Sequence, residues 1–199
     1  MSDYSDLEVS PETVLVRGLI EADEAFVEAI ELPSVDPERF RFAMRAFATG
    51  VVIVTVEVDG RIWGLTINSC CSISASPPQV LISLAHTASC REPLLRARRF
   101  GLSVLTVGQR ELAELGAVPG GPKYVDAFIE RPGEEQPATI AGALAHLDCS
   151  VAETFEVSDH TLVIGLVEQA IVGTGEPLLY FDRAFHRLGD NLQDESEGT

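Results

Sequence analysis

Apolar positions through the middle of the chain recur with the period of strands. Residues 51–58 (Val-Val-Ile-Val-Thr-Val-Glu-Val) are β-branched almost throughout, a composition that suits a pleated, buried surface. Asp59-Gly60 is a hairpin turn signal, and residues 61–67 read as the returning strand. Pro77-Pro78 precedes another strand at 79–84, and residues 100–105 form a further one. Two more follow at 142–154 and 161–172, with a last one around 178–188. About seven short strands with few helices predict a mainly β, antiparallel barrel or sandwich. No βαβ alternation and no G-x-G-x-x-G appear, which disfavours a doubly wound fold.

Helical signals sit outside and between these strands. Ser10-Pro11-Glu12 reads as a helix start, with Ser as N-cap and Pro at the first helical position. Leu15, Leu19, Phe26 and Ile30 can share an apolar stripe, while ten acidic residues and one Arg occupy the stretch through Asp36. Residues 1–36 are therefore expected to form an acidic helical extension. It either packs on the main domain or a partner, or is solvated without a specific role. Asp36-Pro37-Glu38 starts a second helix, with Phe40, Met44 and Phe47 as a core-facing stripe and Gly50 as its end. Residues 92–98 and 109–115 also look helical. Residues 117–137, rich in Gly, Pro and Glu, read as a long surface loop of the kind that serves as a lid. The organisation is an extension at 1–36, a main domain at 37–188 and a disordered acidic tail at 189–199.

Composition fits one globular domain: 199 residues, 46% of them hydrophobic. The formal charge of −17 repels phosphate backbones, so no nucleic-acid partner is expected. An anionic ligand must then be held locally, by backbone amides and hydroxyls. No apolar run approaches the roughly 20 residues of a membrane helix, and the start, Met1-Ser2-Asp3-Tyr4, lacks a signal-peptide layout. A cytoplasmic protein that does not enter membranes is expected. Cys70, Cys71, Cys90 and Cys149 show no C-x-x-C pair and no His at ligand spacing, which predicts reduced thiols and no metal site.

The densest polar stretch is Thr66-Ile67-Asn68-Ser69-Cys70-Cys71-Ser72-Ile73-Ser74-Ala75-Ser76-Pro77-Pro78. Small hydroxyls and exposed amides there suit a wall that a ligand approaches closely; taken alone, it is equally a Ser-rich turn. It resembles the T-x-x-S-x-x-S-x-S-x-x-P-P element of the flavin reductase-like family. Residues 40–55 are similar to the family's opening, and Phe100-Gly101 through Ala113 to its F-G-x-x-V-L…Q-x-x-L-A segment. Ser158-Asp159-His160 with Gly165 and Val167 resembles G-D-H…G-x-V, and Pro177-Leu178-Leu179-Tyr180 its P-L-L-Y close. The order and spacing together cover about three quarters of the chain.

The resemblance implies an FMN-binding split β-barrel that works as a homodimer, with FMN or FAD near the subunit interface. It implies an NAD(P)H:flavin oxidoreductase that supplies reduced flavin to a partner monooxygenase. By position, Thr66, Ile67, Asn68, Ser69, Cys70 and Ser72 would line the isoalloxazine and ribityl chain. The loop Thr87-Ala88-Ser89 would meet the phosphate, with Arg91 as its cation. His160 would stand beside the nicotinamide of NADH or NADPH as the catalytic residue, its ring fixed by Asp159, and Phe185 or His186 would close the pocket. Three departures bear on the cofactor. Ala88-Ser89-Cys90 stands where relatives carry S-R-T or S-R-S, Cys70 stands at an aromatic position, and Ser158 stands for Gly. Two alternatives remain open: a non-catalytic flavin-binding or assembly subunit, and a reductase that keeps its FMN and serves another acceptor.

Overall fold

The computed structural model describes residues 10–15, 29–120, 123–130 and 138–189, which fall in two compact units, residues 1–47 and 48–199. In the first unit β1 (Ser10–Leu15) and β2 (Ala29–Ser34) pair antiparallel, with Ser10 opposite Ser34 and Leu15 opposite Ala29. The helix expected to start at Ser10 is therefore corrected to a strand. Thr13, Val14 and Ile30 are β-branched, and this preference outweighs the Ser-Pro-Glu capping signal. Leu19 and Phe26 lie outside the described residues. Helix α1 (Pro37–Met44) starts as expected: the Asp36 carboxylate accepts from the Glu38 and Arg39 amides at 2.9 and 3.0 Å. It stops before Gly50, and Phe40, Met44 and Phe47 are exposed rather than core-facing, at 56%, 47% and 64%.

The second unit is built on one antiparallel sheet. Its strands are β4 (Val52–Val58), β5 (Arg61–Ile67), β6 (Cys70–Ala75), β7 (Pro78–Ala85), β8 (Arg99–Val104), β11 (Ala145–Val157) and β12 (His160–Val172). Their order is β5-β4-β8-β11-β12-β7-β6. The two edge strands are thus neighbours in sequence, joined only by Asn68 and Ser69. The sheet must curl until the end of β5 and the start of β6 lie within the reach of two residues. No ladder links β5 to β6 among the described residues, so the curl stays open. Every strand of the sheet feeds one cluster on the concave face. It includes Val54, Ile82, Leu102, Cys149 and Val163, with Trp63 and Cys70 from the edges, and helix α2 (Arg91–Ala97) adds Leu94.

A second cluster lies on the convex face of β4: Val51, Ile53, Leu105, Leu112, Ala113, Val125, Ile140 and Leu178. Helix α3 (Arg110–Ala117) covers it. Both faces of β4 are buried, which explains why residues 51–56 are apolar or β-branched without alternation. The short β3 (Thr49–Gly50) pairs with β13 (Leu178–Phe181), which forms a hairpin with β14 (Ala184–Arg187). The single strand expected at 178–188 is thus two, turned at Asp182 and Arg183 with φ of 45° and 64°.

The expected lid differs where it is described. After α3, Lys123 and Val125 are buried. Gly64 and Lys123 share a backbone bond of 2.8 Å, and Asp126 accepts from the Ile62 amide at 3.0 Å. β9 (Ile129–Glu130) then pairs with β10 (Thr139–Ile140). This segment is pinned to β5, because Asp126 gives the Ile62 amide and the Arg61 guanidinium one shared anchor. Residues 121–122 and 131–137 of the expected loop, and 190–199 of the tail, lie outside the described residues.

Candidate functional site

The Ser-rich stretch, the turn after β7 and the start of β12 come together through the register of three strands. Ser69 Oγ donates to the Ser83 carbonyl at 2.8 Å, and the Ser83 amide donates to the Ser69 carbonyl at 3.1 Å. Ala85 pairs with His160, Ser83 with Leu162 and Leu81 with Ile164. Residues opposite one another share a face, so Leu81, Ser83, Leu162, Ile164 and His160 line the convex side, all half-buried. The alternate set, Ile82, Leu84, Thr161 and Val163, is fully buried. The result is an apolar strip bordered by the Ser69 hydroxyl and the backbone at Asn68 and Ser69, with an imidazole at its end.

His160 and Asp159 stand at the β11–β12 turn. Asp159 Oδ1 lies 2.7 Å from His160 Nδ1, and the His86 amide donates to the Asp159 carbonyl at 2.8 Å. The bond from His160 is the main reason the Asp159 carboxyl is held below its usual range. The preceding residue, Ser158, sits at φ 53°, a left-handed conformation that glycine adopts at less cost. This geometry would suit the Gly that the resemblance leads one to expect before the Asp-His pair.

Not every expected residue faces this strip. Thr66 Oγ1 donates to the Ala113 carbonyl at 2.9 Å, which turns its hydroxyl toward α3. Ile67 and Cys70 pack on the concave cluster, and burial, with neighbouring Cys71, pushes the Cys70 thiol pKa up. Cys71 is the exposed thiol. Ser72 is exposed on β6, opposite Val80. Thr87, Ala88 and Ser89 form the turn between β7 and α2, closed by the Ala88 amide donating to the Ala85 carbonyl at 2.9 Å.

Arg91 opens α2, and its guanidinium is committed to Glu156, Glu92 and Thr161. Phe185 stands apart: it meets Tyr180 edge-on at 5.5 Å and lines an open groove of about 390 Å³ with Arg110, His186 and Arg187. Asn68, Ser69 and His160 do not line that groove.

Sequence reasoning missed the strip residues Leu81, Leu162 and Ile164, although the alternation through residues 79–84 and 160–165 carried the signal. It also missed Glu156, whose pairing opposite Thr161 requires the hairpin register. Among the described residues no group of His, Cys, Asp and Glu is arranged to hold a metal. No helix there is long and apolar enough to cross a membrane.

The chain has relatives among known proteins. Residues 44–189 match the family model described as flavin reductase like domain. The chain is 34% identical over 154 residues to the reductase component of a 4-nitrophenol 4-monooxygenase/4-nitrocatechol 2-monooxygenase from Rhodococcus opacus, covering 77% of this chain and 82% of that one. It is 33% identical over 170 residues to an NADH-dependent flavin reductase of a Rhodococcus species, covering 83% and 94%. Among solved structures, an NADH:FAD oxidoreductase of Streptomyces globisporus in complex with NAD and FAD fragments superposes with a TM-score of 0.72 at 34% identity, covering 80% of this chain and 99% of that one.

Proposed function

The chain belongs to the flavin reductase-like domain family, and from that premise we propose that it is an NADH-dependent flavin reductase that hands reduced flavin to a partner monooxygenase. The observation that carries the reading is the half-buried strip Leu81–Leu162–Ile164, edged by Asn68 and Ser69 and ended by His160. A planar ring fits an apolar strand face, and its polar edge fits hydroxyl and backbone groups that bring no charge. Bound flavin would supply a hydride acceptor opposite the nicotinamide. Asn68 and Ser69 would hold its ring edge, the turn at 87–89 its phosphate end, and Leu81, Leu162 and Ile164 would exclude water from one face.

His160 acts by position. With Nδ1 bonded to Asp159, Nε2 is the ring nitrogen left to hydrogen-bond a carboxamide. Hydride transfer needs stacking and alignment more than proton transfer, so His160 is a positioning residue for the nicotinamide.

We further infer that the curled sheet is the split barrel of this family and that two copies associate. The open edges, and exposed Phe155, Val157, Ile171 and Val172 on β11 and β12, support that reading. The commitment of Arg91 to carboxylates favours flavin as a diffusible substrate over a permanently held cofactor. Turnover settles the activity: purified protein with NADH or NADPH and free FMN, FAD or riboflavin should lose absorbance at 340 nm. No loss with any donor and flavin pair would leave a carrier or assembly subunit.

A further inference from the structure

Donors from three places in the fold converge on one carboxylate. Glu156 Oε1 accepts from Arg91 Nη2 at 2.9 Å and from Thr161 Oγ1 at 3.1 Å. Its Oε2 lies 2.8 Å from His86 Nε2 and 3.1 Å from the same Thr161 hydroxyl. Arg91 Nε donates to Thr161 Oγ1 at 2.6 Å, and its remaining arm reaches Glu92. A guanidinium, an imidazole and a hydroxyl around two oxygens is the donor set proteins present to phosphate.

Two of the donors are buried or nearly so, while His86, at 40%, and the occupant are exposed. Thr161 is fully buried and the Arg91 side chain is 16% exposed, whereas the Glu156 side chain is 58% exposed near the tip of a hairpin. Burial pushes the Glu156 carboxyl upward, but the bonds from Thr161, Arg91 and His86 outweigh it and hold the group below its usual range. In a chain of charge −17, this is a place where cationic and neutral donors gather beside the 87–89 turn.

We propose that Glu156 is an internal competitor for phosphate: it fills the Arg91–His86–Thr161 cradle and thereby biases the site against phosphorylated flavin relative to riboflavin. The proposal rests on the reading that the 87–89 turn meets the phosphate end of the flavin. A phosphate carries more charge than a carboxylate and three acceptor oxygens, so it can displace Glu156. It must then offset the bonds Glu156 loses and the repulsion of Glu92 and Glu156.

The full chain and its Glu156→Gln and Glu156→Ala forms test this. Inorganic phosphate is titrated while the His86 ring and Arg91 Nε–H resonances are followed by NMR, and FMN and riboflavin affinities are measured by fluorescence quenching. Both variants should bind phosphate about five- to tenfold more tightly than the parent, and the FMN-to-riboflavin affinity ratio should rise by a similar factor. The gain should shrink with added salt and vanish when Arg91→Ala is combined with Glu156→Gln. Glu153→Gln removes a neighbouring charge from the same strand; an equal gain there, or no gain in either Glu156 variant, overturns the proposal. Tighter phosphate with an unchanged FMN-to-riboflavin ratio overturns the flavin part of it. Tighter phosphate in a chain that binds no flavin and oxidises no NADH upholds the cradle and instead removes the function proposed above.

Discussion

Asp159 takes the Nδ1 side of His160, which leaves one ring nitrogen for a ligand. His160→Asn should therefore lower kcat/KM for NADH about three- to tenfold, the worth of one hydrogen bond. Most of the loss should appear in KM, and steady-state kinetics that show neither parameter moving would remove the residue from the site. The thiols separate by burial: desolvation pushes Cys90 up to about 11 and Cys149 up to about 12, while Cys71 is exposed. A thiol-labelling time course should show Cys71 reacting first, with Cys90 and Cys149 silent until the chain unfolds. His146 is 3% exposed, with Nδ1 2.7 Å from Ser103 Oγ and Nε2 lacking a partner. Burial holds its pKa below the ordinary 6.5 against the opposing pull of Asp148. Below that value the unfolded chain takes up a proton the folded one resists, so stability falls as pH drops. Urea midpoints at pH 7.5 and 5.5 should differ less in His146→Gln than in the parent. At this scale the strand register brings Ser69 and His160, both singled out from the sequence, to the two borders of the proposed strip. The sequence could not say that Thr66 turns to α3, or that Cys70 rather than Cys71 points inward. Those directions depend on strand register and on a bulge between Ser72 and Ser74 that shifts it.

Gly165 lies between packed strands on β12: an added Cβ would meet the Phe100 ring at 2.6 Å and Cys149 Cβ at 3.2 Å. Gly165→Ala should cost about 1–3 kcal/mol in overpacking, read as a lowered urea midpoint, and an unchanged midpoint would show that the ring can move aside. Six of the seven strands of the large sheet were legible because their apolar runs are bounded by turn residues, whereas β6 (Cys70–Ala75) was hidden in a Ser-rich stretch read as a turn. The β4–β5 hairpin is the clearest case, with Asp59 at φ 51° and Gly60 at φ 75° in a two-residue turn. Segments whose fate depends on distant partners were not legible. Residues 123–130 are Gly- and Pro-flanked and read as a loop, yet one carboxylate, Asp126, ties them to β5. The Ser10 signal read as a helix because capping residues also begin strands, and the pairing partner lies 14 residues beyond the end of β1.

Phe155, Val157, Ile171 and Val172 are exposed, the last at 82%, and the association proposed above would cover them. Gel filtration should give about twice the chain mass of 21.5 kDa, because a standard interface buries roughly 1,200–2,000 Å². Phe155→Asp should shift the population toward monomer. Two chains of charge −17 repel one another, so the dimer should tighten as salt rises, opposite to the behaviour expected of an ion-paired interface. The curl is held by the concave cluster to which every strand contributes, and its two far edges are tied by one short link. Between the far edges of a seven-stranded sheet stand only Asn68 and Ser69, so this link works as a drawstring. Its length, more than any side chain on it, fixes how far the sheet can open. Lengthening a loop costs only about 0.6 kcal/mol per doubling in closure entropy, so an insertion there would spare stability and change shape. The edges would drift apart and the convex strip would flatten, making the size of ligand the strip accepts a property of chain length at two residues.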